Sequence, residues 1–124
     1  MTLGPVCGLW PSSRGLAGAV VDADGALVVA ATLPHAIEEQ LVWLSRQRVL
    51  CDPGLDLVMT ESTAHHNPLG RFSLECGYRI WIAPLRAVTS ISRAAWWRPT
   101  PRQIATLLAR LPNSVALRTI LRRL

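Results

Sequence analysis

The apolar residues of this chain fall in short runs near its start and in helical stripes towards its end. Val6–Trp10 is a compact apolar run, and the segments 16–21 and 26–31 are small and β-branched. Between the last two stands Asp22-Ala23-Asp24-Gly25. Asp-Gly between apolar runs predicts a hairpin, because Gly tolerates the positive φ of a tight turn. The first third is therefore expected to be three antiparallel strands. Pro34 breaks the pattern. From His35 to Leu50, Ile37, Leu41 and Leu44 recur at helical spacing. Residues 55–60 read as a buried strand. Asn67-Pro68 then predicts a helix start, with Leu69, Phe72 and Cys76 on one face and Gly77 as its stop. Tyr78–Ala83 reads as another strand, ended by Pro84.

The remainder is predicted helical. Residues 85–97 carry Val88, Ile91 and Ala95 on one stripe, and Pro99 and Pro101 interrupt it. Arg102–Leu111 has Ile104, Leu107, Leu108 and Leu111 in register. After Pro112-Asn113-Ser114, Leu117, Ile120, Leu121 and Leu124 repeat the pattern. These two stripes predict a C-terminal helical hairpin. The order is β-β-β-α-β-α-β, and strands alternating with helices after a meander imply an α/β mixed sheet flanked by helices. Residues 1–97 are expected to form that core, and residues 98–124 a basic helical hairpin packed on it or extending it.

At 124 residues the chain suits one domain, and half of it is apolar. No apolar run reaches the length of a membrane span. The start has no basic leader pattern, so no membrane and a cytoplasmic location are expected. Cys7, Cys51 and Cys76 lack metal-ligand spacing and read as reduced thiols.

Charge changes the picture. The first 75 residues hold all eight acids and four Arg; the last 49 hold nine Arg and no acid. All 13 basic residues are Arg. Codon bias alone also produces such a composition. As a field, however, it attracts polyanions, and the guanidinium fork suits phosphates and stacking. The expected partner is nucleic acid, DNA more than RNA. Arg79, Arg86, Arg93, Arg98 and Arg102 are the candidate phosphate contacts, and Trp96 and Trp97 the candidate stacking platform.

Other polar groups have simpler readings. Asp22 and Asp24 suit a turn. Adjacent His65 and His66 point apart on a helix, and His35 is remote. Ser12-Ser13-Arg14-Gly15 lacks a phosphate-loop pattern, and Ser62-Thr63 has no companion base.

The strand order is also that of the ribonuclease H-like proteins, and the local text resembles one group of them. Val20-Val21-Asp22-Ala23-Asp24-Gly25 is similar to the second hairpin of the RuvC-like domain of DEDD-type insertion-element transposases. Glu61-Ser62-Thr63-Ala64, with His66, Pro68 and Leu69, resembles that family's E-(A/S)-T-G-x-Y-x-x-P-L segment. Gly77–Pro84 resembles its G-x-x-V-x-V-x-N-P strand, and Thr100–Ala105 stands where it has K-T-D-x-x-D-A. The resemblance covers roughly residues 5–111 and implies an RNase H-like fold. The family's chemistry needs clustered carboxylates around divalent metal ions. The resemblance carries over one of them, Glu61. Trp10, Pro101 and Ile104 occupy the other three positions. The expected activity is therefore nucleic-acid binding without catalysis and without a cofactor. A residual nuclease would need Mg²⁺. A protein-interaction or homodimerisation module, using the C-terminal Leu stripe, is the other alternative.

Overall fold

A computed structural model describes residues 4–51 and 54–124 of the chain. The leader reading rests partly on residues 1–3, which lie outside them.

Three strands open the chain: β1 (Val6–Ser12), β2 (Gly15–Val21) and β3 (Leu27–Leu33). The Asp-Gly turn forms as its residues dictate. Asp22 Oδ1 accepts from the amides of Asp24 and Ala26, both at 2.9 Å, and Gly25 takes φ 85°. Helix α1 (Ile37–Leu50), strand β4 (Asp56–Thr60), helices α2 (Glu61–His66) and α3 (Pro68–Glu75) and strand β5 (Ile80–Ala83) follow. Helices α4 (Leu85–Ala95) and α5 (Pro101–Arg110) lead to two 3₁₀ turns, Leu111–Asn113 and Arg118–Ile120, and to a short strand β6 (Arg122–Arg123).

Two of the helix starts follow from local chemistry. Asn67 Oδ1 accepts from the Leu69 amide at 2.9 Å with Pro68 at the first helical position of α3. Thr100 and Gln103 form a capping box at α5: the Gln103 amide donates to Thr100 Oγ1, and Gln103 Oε1 accepts from the Thr100 amide. Pro101 occupies the first turn of α5, so the break between α4 and α5 is written in residues 96–101.

The strands form one six-stranded mixed sheet in the order β3-β2-β1-β4-β5-β6. β1 pairs antiparallel with β2 and β2 with β3; β1, β4 and β5 are mutually parallel; β6 returns antiparallel along β5. The chain is thus an α/β protein with five α-helices among the described residues.

The sheet is covered on both faces. On one, Cys7, Leu9, Leu57, Met59 and Ile80 pack with Leu44 of α1 and Leu69 of α3. On the other, Val6, Val21, Val58 and Ala83 pack with Val88 of α4 and Leu108 and Ala109 of α5. Strand alternation divides neighbours between the two clusters. β2 is buried along its whole length. Its α5 side is small, Ala17 and Ala19 beneath Ala105, so α5 lies close to the sheet. Gly8 of β1 makes this approach possible, because a Cβ there would collide with the Ala105 carbonyl.

The second helix of the expected C-terminal hairpin does not form. Residues 114–124 make turns and the strand β6 instead. An isolated eight-residue helix is marginal, whereas β5 would otherwise present an open edge. Pairing Trp81 with Arg123 and Ile82 with Arg122 closes it, and the Leu124 amide donates to the Ile80 carbonyl at 3.0 Å. The apolar spacing serves that path: Leu117, Ile120 and Leu121 pack on the α4–α5 side and Leu124 on the other. The Leu stripe is therefore spent inside the fold. The single helix expected after Thr60 is also two, since α2 starts directly at Glu61.

No helix among the described residues is long and apolar enough to cross a membrane.

Candidate nucleic-acid interface

The division into layers sorts the charge. α4 and α5 carry four charged side chains, Arg86, Arg93, Arg102 and Arg110, and all are cationic and exposed. The opposite layer mixes Glu38, Glu39 and Glu75 with Arg46, Arg48 and Arg71. The asymmetry along the sequence thus becomes an asymmetry between the two faces of the sheet.

Arg86 and Arg93 are seven residues apart on α4. At 1.5 Å per residue their Cα atoms stand ~10.5 Å apart on one side of the helix. Neither has a carboxylate within ion-pair distance among the described residues. The helix ends at Trp96, whose backbone turns extended at φ −138° and ψ 141°. Trp96 is half-buried. Trp97 is 86% exposed, an uncommon state for the largest side chain, and the Arg98 guanidinium stacks over its ring at 4.5 Å. Arg102, in the first turn of α5, is exposed and donates through Nε to Thr32 Oγ1 of β3 at 3.1 Å.

Arg79 is placed differently. It precedes β5, and its Nε lies 3.7 Å from Asp56 Oδ1, so an acid offsets part of its field. Asp56 also accepts from Trp81 Nε1 at 3.0 Å.

Trp10, Glu61, Pro101 and Ile104, the positions that the resemblance aligns with catalytic acids, do not make a carboxylate site. Trp10 and Ile104 both pack against the apolar cluster under α4 and α5. Pro101 opens α5 and is exposed. Glu61 begins α2, where its Oε1 accepts from Arg122 Nη2 at 2.7 Å and lies 3.9 Å from His65 Nε2. Among the described residues no three His, Cys, Asp or Glu side chains converge. A hard divalent cation takes several oxygen ligands. One carboxylate, already paired with a guanidinium, does not fit it. His66 and Ser62 line a shallow recess with Pro11 and Asn67. Asp22 is occupied by its own turn. His35 contacts the Ser13 carbonyl at 3.2 Å.

Two contacts were invisible along the sequence. Arg122 reaches Glu61 across 61 residues, and Arg110 Nε donates at 3.0 Å to the Gly25 carbonyl of the β2–β3 turn. Neither has a local signal, since each depends on how β6 and α5 lie on the sheet.

None of the three thiols belongs to the α4–α5 layer. Burial pushes the Cys7 thiol far up from its ordinary value of 9.0 and raises Cys51 as well. Neither is a ready thiolate. Cys76 is exposed, and its carbonyl accepts from Arg48 Nη1 at 2.8 Å.

No protein-family model matches the chain, and no curated protein matches it in sequence.

Proposed function

We propose that this chain binds nucleic acid through the layer formed by α4 and α5, as an RNase H-like domain akin to the RuvC-like part of DEDD-type transposases but without their phosphodiester chemistry. The observation that carries the reading is the exposed Trp97–Arg98 stack at the end of a layer whose every charged side chain is Arg. Guanidinium groups hold phosphates, and an exposed indole backed by Arg98 leaves its other face for an unpaired base to stack on. Arg86, Arg93, Arg98 and Arg102 are the phosphate contacts in this reading, and Trp97 is the platform. Arg79 contributes less, because Asp56 neutralises it locally.

The strand order supports the RNase H-like assignment. Among the first five strands, in the order β3-β2-β1-β4-β5, β2 alone runs against the others. The donor set supports the loss of nuclease chemistry. Trp10 and Ile104 give an apolar patch where carboxylates would be required, and Arg122 supplies Glu61 with the positive charge that a metal would otherwise bring.

The test is binding of the purified, nucleic-acid-free protein to a branched DNA junction, a DNA duplex and single-stranded RNA, across a salt series, with and without Mg²⁺. Salt-sensitive binding without cleavage is expected. Trp97→Ala is expected to weaken binding to unpaired strands by ~1–3 kcal/mol and to leave duplex binding nearly unchanged. Absence of binding to all three nucleic acids would overturn the proposal; Mg²⁺-dependent cleavage would overturn its inactive-nuclease part.

A further inference from the structure

We propose that the outer face of α1 is the interface of a two-fold homodimer. This face lies on the opposite side of the sheet from the Arg-rich layer and does not rest on the nucleic-acid reading.

The apolar residues of α1 are not confined to its buried side. Leu44 is fully buried, but Val42 is 51% and Val49 79% exposed. These two valines are seven residues apart, so they stand within roughly 20° of each other on the outward surface. Glu39 and Arg46, also seven apart, share one flank of that stripe, roughly 50° from Val42. Both are exposed, and neither is in an ion pair among the described residues.

This arrangement is complementary to itself. The point midway between residues 39 and 46 falls within about 1 Å of Val42 along the helix axis. A two-fold axis there, perpendicular to the helix, pairs α1 antiparallel with its copy and keeps each flank facing the same flank. Glu39 then meets the partner's Arg46, and Arg46 meets the partner's Glu39. Val42 meets its own symmetry mate. The same operation carries the partner's Val49 to the level of residue 36. Along the Glu39–Arg46 flank, Leu33, Pro34, Val42 and Trp43 line a shallow, mainly apolar groove of about 370 Å³ whose lining also includes Glu38, Glu39 and Arg46. A patch whose charges and apolar groups are matched by their own rotation is what an isologous contact requires. The two α4–α5 layers would face away from each other, so one dimer would offer two separate basic surfaces.

The experiment is sedimentation equilibrium of the full chain over the micromolar range, at low and moderate salt. The wild type is expected to dimerise. Val42→Asp places two carboxylates at the axis and is expected to give a monomer with an unchanged far-ultraviolet circular dichroism spectrum, since the side chain lies on the surface. Glu39→Arg and Arg46→Glu each turn two attractions into two repulsions. Each is expected to weaken the dimer about tenfold or more at low salt. The double variant E39R/R46E, and an equimolar mixture of the two single variants, are expected to recover it. A wild type that stays monomeric throughout would overturn the proposal. So would a dimer indifferent to all three single substitutions, which would point to another surface such as the β3 edge.

Discussion

Removing the charges of Arg86 and Arg93 gives the most direct quantitative test of the basic layer. Both side chains are exposed on α4 and have no ion-pair partner among the described residues, so R86Q/R93Q should change folding stability by no more than ~0.5 kcal/mol. Their Cα atoms stand ~10.5 Å apart on one side of the helix, so the two long side chains can reach different phosphates at once. Each phosphate contact on duplex DNA contributes ~0.9 to the slope of log affinity against log salt, so losing two should reduce the slope by ~1.8. If the two affinities are equal at ~1 M salt, the variant binds about 30-fold more weakly than wild type at ~0.15 M and about 3.5-fold more weakly at ~0.5 M. Fluorescence anisotropy with a labelled duplex over that salt range measures both quantities. Parallel log–log lines for the two proteins would refute the reasoning even if the variant bound more weakly, because the arginines would then act without releasing counterions. Unchanged affinity would remove α4 from the interface.

Other substitutions probe the parts separately. Glu61→Gln breaks an exposed pair with Arg122, so thermal unfolding should register at most ~1 kcal/mol, and nucleic-acid affinity should hold or rise slightly as an acid disappears; a marked loss of binding would show that Glu61 faces the ligand. Gly8→Ala drives a methyl group into the Ala105 carbonyl of α5, and urea unfolding should report a loss of ~3 kcal/mol or more; a neutral result would mean that α5 does not lie on β1 as described. Arg48→Ala removes the bond to the Cys76 carbonyl at 2.8 Å and the stack 4.3 Å from the Tyr78 ring centre, with an expected cost of ~1–2 kcal/mol by the same method. The Cys7 thiol, raised by burial above its ordinary 9.0, keeps its proton in the folded state after the unfolded chain has lost it. Its contribution is therefore intact below that value and is lost as pH rises above it, by up to about 1.4 kcal/mol per pH unit. Cys7→Ala should flatten this alkaline decline in a series of unfolding curves; equal slopes in both proteins would contradict it.

Local sequence determined the elements whose causes are local. The Asp22–Gly25 turn, the Asn67-Pro68 start of α3 and the Pro-rich break between α4 and α5 rest on hydrogen bonds and φ restrictions spanning at most five residues, and the structure forms them where those residues stand. The concentration of Arg after residue 76 was equally plain. Tertiary structure decided what each element meets. The stripe Leu117–Leu124 has a helix's spacing, yet its energy is set by the free edge of β5, which a local pattern does not record. The same strand brings Arg122 to Glu61, giving that acid a structural partner 61 residues away. Topology also turned a charge gradient along the chain into two unlike faces, because the sheet sends α1 and α3 to one side and α4 and α5 to the other. Residue types set which groups could attract, stack or pack; only the path of the sheet set which of them came within reach.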